Sequence, residues 1–320
     1  MSWNGKRVLV TGAHGFIGSH VVRGLLDHGA AEVVGLDRFG ISPTWVALKN
    51  SAHVVSGVDV TDPDYVPALE EMLQETDVLF HLAGMVSVDR CEETPLTALR
   101  DNVMATGVLL EIARQTQTAA VFASSDRVYG VIPGPSALET DPLHPVDVYG
   151  ATKAAADLLV VQAARAGYKV ATLRHVNAYG PADPHMDHLI PGTIRAMLEG
   201  QEPHIRSDGS PCKSYLYIAD VVEAYLTLGL ETFQGRSTGA YNCAPYDFHA
   251  VRGVVGIIAE TVGYHSPVTF QGTDQRQTNY CERLNAQKLR DLGWGPQVTF
   301  REGIKRTVEW YAERPTWPLS

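Results

Sequence analysis

A tyrosine and a lysine one helical turn apart are the first residues of this sequence whose spacing indicates chemistry. Tyr149 and Lys153 stand at positions i and i+4 at the start of an alanine-rich stretch, so a helix would carry both on one face. A phenol with a pKa of about 10 removes protons at neutral pH only when its phenolate is stabilised. A neighbouring ammonium group stabilises it by opposite charge. The pair therefore predicts a general base for a hydroxyl proton.

A short polar run follows the apolar run at 119–123 and consists of Ser124, Ser125, Asp126 and Arg127. If the apolar run is a parallel strand, the hydroxyl of Ser125 points over the carboxyl edge of the sheet, where ligands of α/β proteins bind. A register shifted by one residue would give this position to Ser124 instead. Arg127 cannot act as a base, because its guanidinium stays protonated.

Three glycines in the pattern G-x-x-G-x-x-G separate the first apolar run from the first helical stretch. Gly12 permits a tight turn, Gly15 lets a pyrophosphate approach the backbone, and Gly18 lets helix and strand pack closely. The helix N-terminus then offers free N–H groups to phosphates. Asp37 follows after about 20 residues and would bind an adenosine ribose, which favours NAD over NADP. Arg38 leaves NADP open, because a guanidinium can hold a 2′-phosphate.

Short apolar runs alternate with helical stretches through the first half of the chain. This alternation indicates βαβ units with right-handed crossovers, and hence a doubly wound, parallel, Rossmann-like sheet in an α/β fold. The predicted strands are 7–10, 32–36, 53–55, 78–82, 119–123 and 169–173.

Prolines and glycines interrupt this alternation after about residue 178. We therefore expect a cofactor-binding domain at residues 1–178. The chain at residues 220–242 is expected to pack on this domain again and rejoin its sheet. Residues 179–320 would form mainly a smaller, mixed α/β substrate lobe with helices near 190–199, 220–230, 250–262, 285–291 and 301–313.

These motifs resemble the short-chain dehydrogenase/reductase superfamily, in the extended branch that modifies nucleotide sugars, over nearly the whole chain. Besides the glycine turn and the Tyr/Lys pair, the segments at 59–60, 81–84 and the R-x-x-N-x-Y-G-P stretch at 174–181 match that branch. The resemblance implies bound NAD. Its cofactor site would add, to the residues above, His14, Phe16, Ile17, Asp59, Val60, Leu82, Ala83 and Gly84.

The resemblance also implies a reaction through a 4-keto sugar. Tyr149 would take the proton of the sugar 4-hydroxyl while NAD⁺ takes the hydride, with Ser125 hydrogen-bonded to that hydroxyl. Epimerases of the branch usually have small residues at 126 and 127, whereas 4,6-dehydratases have an acid followed by Glu or Lys. Asp126 fits the dehydratase acid; Arg127 does not fit the base but would stabilise an enolate. We expect an NAD-dependent nucleotide-sugar 4,6-dehydratase; the alternatives are a 4-epimerase and a non-catalytic NAD-binding protein.

A nucleoside-diphosphate sugar needs polar and cationic contacts, and the sequence offers a set of them. Lys213 stands where the branch usually has an arginine, and a point charge attracts phosphate with less geometric specificity than a guanidinium. The predicted substrate contacts are Ser87, Arg90, Ser124, Asn177, Lys213 and Arg276.

The segment 183–188 carries the metal-binding residue types Asp183, His185, Asp187 and His188. We expect no metal there, because a proline-flanked loop lacks the supporting scaffold that metal ligands need and the expected reaction requires none.

Composition and charge restrict the partners and the compartment. A net charge of −10 argues against nucleic acid, whose phosphates need a basic face. The chain shows no run of about 18 apolar residues and has four cysteines without paired spacing, and we expect no leader peptide before its first strand. We expect a cytoplasmic protein that binds no membrane. The resemblance implies a homodimer, with a four-helix interface from the helix near 95–114 and the alanine-rich helix at 153–166.

Overall fold

The structure is a computed structural model that describes residues 2–40, 42, 44, 52–132, 134–272 and 281–317, with only the backbone described at 281–282. The strands in this part of the chain are β1 (Arg7–Thr11), β2 (Glu32–Asp37), β3 (His53–Ser56), β4 (Val78–His81), β5 (Ala119–Ser125), β6 (Val170–His175), β7 (Asn177–Tyr179), β8 (Cys212–Lys213), β9 (Tyr215–Tyr217), β10 (Gly239–Cys243), β11 (His249–Ala250) and β12 (Cys281–Glu282).

Seven of these strands form a parallel sheet in the spatial order β3-β2-β1-β4-β5-β6-β10. The order reverses between β1 and β4, which creates a crevice at the carboxyl ends of the strands. The central strands β4 and β5 are nearly continuously buried, as expected for a parallel sheet covered on both faces. The predicted doubly wound α/β fold is confirmed.

Helices cover both faces of the sheet. Their bounds are α1 (Phe16–Asp27), α2 (Val66–Gln74), α3 (Val88–Glu93), α4 (Pro95–Leu99), α5 (Ala105–Thr116), α6 (Val148–Arg165), α7 (Leu189–Leu198), α8 (Ile218–Phe233), α9 (Val251–Val262), α10 (Gln287–Arg290) and α11 (Phe300–Ala312). A π-helical segment, Arg100–Met104, joins α4 to α5, and a 3₁₀ turn, Asp126–Tyr129, follows β5.

The side chains of each strand divide between two hydrophobic cores. Val8 and Val10 join α1 and α8 in one core, whereas Leu9 between them joins α2, α5 and α6 in the other. This division follows from the period of two along a strand. Because both faces are filled with side chains, the ligand cavity of this fold must lie at the edge of the sheet.

The chain after β6 adds small sheets and one further strand of the main sheet. β11 and β12 pair with β8, and β7 pairs with β9. The strand expected near 240–242 is β10, which pairs in parallel with β6. The division of the chain near residue 178 stays a prediction. No helix in the described ranges has the length and apolar character to cross a bilayer.

Candidate active site

A cavity of about 780 Å³ runs along the carboxyl edge of the central sheet. The glycine turn and the end of β2 line one part of it. The 3₁₀ turn after β5 and the start of α6 line the middle, and residues around 183–188 and 204–215 line the rest. The residues that the sequence predicts for cofactor, catalysis and substrate therefore meet, with the exceptions given below, around one continuous space.

The glycine turn is too tight for side chains. A Cβ on Gly12, whose φ is 71°, would lie 2.6 Å from the backbone nitrogen of Ala83, and a Cβ on Gly18 would overlap the carbonyl oxygen of Gly12. Helix α1 begins directly after Gly15 with no acidic residue in its first turn. The turn thus presents bare backbone and a helix N-terminus to the cavity, which suits a pyrophosphate.

The carboxylate of Asp37 is oriented by two backbone donors. Its Oδ2 accepts a hydrogen bond from the N–H of His14 at 3.0 Å, and its Oδ1 accepts one from that of Phe39 at 3.2 Å. Asp37 lines the cavity, so its remaining acceptor capacity is available to ribose hydroxyls.

Arg38 is held by a carboxylate from the π-helical segment. Its Nη1 and Nη2 donate to Asp101 at 2.8 and 2.7 Å, and its Nη1 also lies 3.5 Å from Asp59. Burial raises the pKa of Asp101, but hydrogen bonds from Arg38 and Arg100 lower it by a larger amount, so the pKa of this carboxyl group lies below its usual value. The positive charge of Arg38, which could have held the 2′-phosphate of NADP, is therefore already neutralised by a carboxylate of the protein.

The remaining predicted cofactor residues border the same part of the cavity. Asp59 Oδ1 accepts hydrogen bonds from the N–H and hydroxyl of Thr61 at 2.9 and 2.7 Å. A Cβ on Gly84 would approach Asn102 Oδ1 to 2.7 Å, so a side chain there would displace the amide group that accepts the N–H of Met85. The lining includes His14, Phe16, Ile17, Asp59, Val60, Leu82, Ala83 and Gly84.

Tyr149 and Lys153 are both buried on helix α6. The helix begins there because Asp147 caps it, with Oδ1 accepting the N–H of Gly150 at 2.6 Å. Tyr149 lines the cavity, whereas Lys153 lies behind the wall, where its Nζ donates to the carbonyl oxygen of Ala123 at 3.1 Å.

The surroundings of this pair do not favour the phenolate by themselves. Burial raises the pKa of Tyr149 to about 12; a hydrogen bond with Ser125 and the charge of Arg127 oppose this rise, and the charge of Asp126 adds to it. Burial also lowers the pKa of Lys153 to about 8. Activation of the phenol by the Lys153 ammonium together with the positive nicotinamide of bound NAD⁺ stays a prediction.

The polar run after β5 places a hydroxyl and a carboxyl group beside Tyr149. Ser125 Oγ donates to Asp126 Oδ1 at 2.9 Å, and both residues are buried in the cavity wall. Arg127 Nη1 donates to Asp147 Oδ2 at 2.9 Å. Because Asp147 also caps α6, this ion pair connects the 3₁₀ turn to the helix that carries Tyr149.

Two predicted substrate contacts lie away from the cavity lining. Ser124 points to the opposite face of β5 from Ser125, because successive strand side chains alternate, and its buried Oγ has no hydrogen-bond partner within the described structure. Arg90 lies on an exposed face of α3. Ser87, Asn177 and Lys213 do line the cavity. Arg276 lies outside the described residues.

Sequence reasoning missed several polar residues of the lining, among them His175, Asp147 and Glu92. Burial lowers the pKa of His175 to about 4, so its imidazole is neutral at pH 7. Glu92 Oε1 accepts the N–H of Val148 at 3.0 Å. A signal existed for Asp147 alone, because an aspartate directly before a helix is a typical N-cap.

The segment 183–188, for which the sequence predicts no supporting scaffold, also lines the cavity. Asp183, His185 and His188 line it, and one ligand atom from each lies within 4.8 Å of the other two. Burial raises the pKa of Asp183, but hydrogen bonds from both histidines lower it to about 2. The carbonyl oxygen of Asp183 accepts a hydrogen bond from the hydroxyl of Tyr311 at 2.6 Å. The expectation that this loop lacks a scaffold is wrong.

Comparison with known families gives a match over most of the chain. The model of the NAD dependent epimerase/dehydratase family matches residues 8–244. A dTDP-glucose 4,6-dehydratase from Haemophilus influenzae is 30% identical over 338 residues, with 95% of this chain and 97% of the relative covered. A trifunctional UDP-glucose 4,6-dehydratase, 3,5-epimerase and reductase from Arabidopsis thaliana is 32% identical over 329 residues. The chain spans 48% of the length of that plant relative.

Solved structures of both reaction types have the same fold. A dTDP-glucose 4,6-dehydratase double mutant from Streptomyces venezuelae with NAD bound is 30% identical, with a TM-score of 0.86 and coverage of 97% of this chain and 98% of the other. A UDP-glucose 4-epimerase from Thermotoga maritima with UDP-glucose is 28% identical, with a TM-score of 0.84 and coverage of 96% and 99%.

Proposed function

Since this chain belongs to the NAD dependent epimerase/dehydratase family, we propose that it removes water from a nucleoside-diphosphate hexose as a 4,6-dehydratase. It is an enzyme that uses NAD. The reaction passes through a 4-keto sugar, and the proposed substrate class follows from relatives named as 4,6-dehydratases at about 30% identity over nearly their whole length.

One observation carries the choice of dehydration. Asp126 is buried in the cavity wall beside Tyr149, close enough for its charge to raise the pKa of the phenol, and it shares a hydrogen bond with Ser125. A dehydration needs an acid for the departing 6-hydroxyl group, whereas an epimerisation at C4 has no leaving group to protonate. Asp126 provides that acid in its protonated form.

The residues present fit NAD. The turn at Gly12 and Gly18 has no side chains and leaves room for the pyrophosphate. Asp37 accepts hydrogen bonds from the ribose hydroxyls. Asp101 pairs with the guanidinium of Arg38, which would otherwise be available to the 2′-phosphate of NADP. When bound, NAD supplies the site that accepts a hydride from the sugar and returns it.

Each catalytic side chain has a separate task on the sugar. Tyr149 removes the 4-hydroxyl proton, and Ser125 orients that hydroxyl by a hydrogen bond. Asp126 protonates the departing 6-hydroxyl. Arg127 remains a cation, and from its position against Asp147 its charge stabilises negative charge on the 4-keto oxygen.

The nucleotide end of the substrate occupies the part of the cavity around β7 and β8. Lys213 is buried there and lines the cavity together with Asn177. A buried ammonium attracts a diphosphate more strongly than an exposed one, because less water screens it. Lys213 is therefore the main cation for the substrate pyrophosphate among these predicted contacts.

The functional unit that we propose is a homodimer in the cytoplasm. Large apolar side chains remain exposed on α4, the π-helical segment and α6, where a partner copy would cover them: Leu96, Leu99, Met104, Leu158 and Leu159. Contiguous exposed apolar surface is typical of protein interfaces. Cys91, Cys212 and Cys243 are free thiols, as expected in a reducing compartment.

The test is turnover of a panel of UDP-, dTDP-, CDP- and GDP-hexoses by the purified protein, followed by mass spectrometry and alkaline absorbance. Loss of one water with a 4-keto chromophore supports dehydration. Unchanged mass with a new hexose supports the 4-epimerase instead, and no turnover of any sugar by the NAD-loaded protein contradicts both. Tyr149→Phe should abolish turnover and retain NAD binding.

A further inference from the structure

Two histidines and an aspartate converge on the loop between β7 and α7. Nδ1 of His185 lies 2.8 Å from Oδ1 of Asp183, and Nδ1 of His188 lies 3.1 Å from Oδ2. Zinc ligands at about 2.0–2.2 Å from the ion stand about 3.3 Å apart in a tetrahedron. The two contacts of Asp183 with the histidines therefore need to lengthen by only a few tenths of an ångström to admit such an ion, and one ligand atom from each of the three residues already lies within 4.8 Å of the other two.

The loop that carries them is fixed by side chains from distant parts of the chain. The carbonyl oxygens of residues 181–183 accept hydrogen bonds from His20 at 3.0 Å, from Thr44 at 3.0 Å and from Tyr311 at 2.6 Å. Ala182 is buried with a φ of 65°, a left-handed conformation that is unfavourable for a non-glycine residue and persists only where surrounding contacts hold it. Several contacts thus hold the backbone where Asp183 and His185 can share one ligand.

The donor set and its burial define the class of ligand. Asp183 is only 1% exposed, and a buried carboxylate needs a compensating positive charge. Imidazole and carboxylate groups together suit zinc and similar divalent transition metals better than magnesium or calcium, which prefer oxygen ligands alone.

We propose that Asp183, His185 and His188 bind one divalent transition-metal ion, zinc by chemistry, with its fourth coordination position open to the cavity. All three residues line the same cavity as Lys213. If the proposed function holds, an oxygen of the substrate pyrophosphate occupies the fourth position. The ion is thus a substrate-binding element and takes no part in proton transfer at Tyr149.

The direct test is titration of the metal-stripped full chain with zinc chloride by calorimetry, with the metal content of the purified protein measured by mass spectrometry. We expect one zinc per chain and at least tenfold weaker binding in His185→Ala and in His188→Ala. Both imidazoles are partly exposed, so these variants should retain the fold, which circular dichroism checks.

A matched control exists elsewhere in the chain. Asp247 and His249 have the same two-residue spacing as Asp183 and His185, with His249 Nε2 2.9 Å from the carboxylate, but they are not part of the three-residue ligand group. His249→Ala should therefore leave zinc binding unchanged.

The proposal fails if the wild type binds no zinc, or if His249→Ala weakens binding as much as the two loop variants do. It also fails if the wild type binds inorganic phosphate and not zinc, and His188→Ala abolishes the phosphate binding. The two histidines would then form an anion site. Turnover of a sugar without zinc binding overturns this inference and leaves the proposed function intact. Zinc binding without turnover supports the inference and contradicts only the proposed function.

Discussion

The ionisation of Tyr149 depends on whether a cation is bound in the cavity, because burial alone opposes formation of the phenolate. Lys153 donates to the carbonyl oxygen of Ala123 and not to the phenol, and the pKa of Tyr149 rises to about 12. A positive charge placed in the cavity would shift this equilibrium toward the phenolate. The protein thus keeps its base protonated until the cofactor is in place.

This dependence can be measured directly. Titration of tyrosinate absorbance, taken as wild type minus Tyr149→Phe, should show no ionisation of Tyr149 below about pH 11 without NAD. Addition of NAD⁺ should move the transition to lower pH, because the positive nicotinamide favours the anion. A transition at or below pH 10 in the cofactor-free protein would contradict the role given to burial.

Cofactor selectivity is a second property of single residues. In Asp101→Asn, Arg38 loses its bidentate carboxylate and becomes available to a 2′-phosphate. We expect the ratio of the dissociation constants for NADP⁺ and NAD⁺ to fall about tenfold, equivalent to about 1.4 kcal/mol, in calorimetric titrations of both cofactors.

The double variant Arg38→Gln with Asp101→Asn is the control for this prediction. It should return the ratio to the wild-type value, because no guanidinium is left to bind the phosphate. A shift that persists in the double variant would show that Asp101 acts through the general shape of the site and not through Arg38.

At the scale of elements, the sequence predicted those parts whose signal is local. The parallel strands were recognisable because strands buried on both faces are continuous apolar runs, and the glycine turn because its steric need is confined to a few residues. Contacts between distant segments left no such signal. The pair of Arg38 and Asp101, the pair of Arg127 and Asp147 and the anchoring of the 183–188 loop all join residues that only the folded chain brings together.

The glycine turn gives a prediction about an element. In Gly18→Ala the new methyl group would overlap the carbonyl oxygen of Gly12, so the packing of α1 on β1 must change. We expect a loss of NAD affinity of at least a hundredfold and a lower melting temperature, measured by calorimetry and thermal unfolding.

Gly256 on helix α9 is the matched control. A Cβ there meets no atom within 4 Å, so Gly256→Ala should raise the free energy of unfolding by about 0.5–1 kcal/mol through the better helix propensity of alanine. Equal effects of the two substitutions would contradict the steric explanation of Gly18.

At the scale of the whole molecule, the exposed apolar face of α4 and α6 predicts association. Size-exclusion chromatography with light scattering should give twice the chain mass of 34.8 kDa. Leu158→Glu, at a residue 57% exposed, should give the monomer, because a charge buried in an apolar interface is costly.

Tyr246, 74% exposed and outside these helices, offers a comparison. Tyr246→Glu should leave the mass of the particle unchanged. A monomeric wild type, or a dimer that Leu158→Glu does not affect, would contradict the proposed interface.

The position of β10 has a consequence for how the chain is made. β10 covers the edge of β6, yet residue 239 leaves the ribosome several seconds after β6 at about 5–20 residues per second. During that interval the nascent sheet presents an open edge, which is a template for pairing with other chains. A fragment that ends near residue 178 would keep that edge permanently, so we expect it to aggregate, and synthesis of the full chain would benefit from a chaperone that shields the edge until β10 arrives.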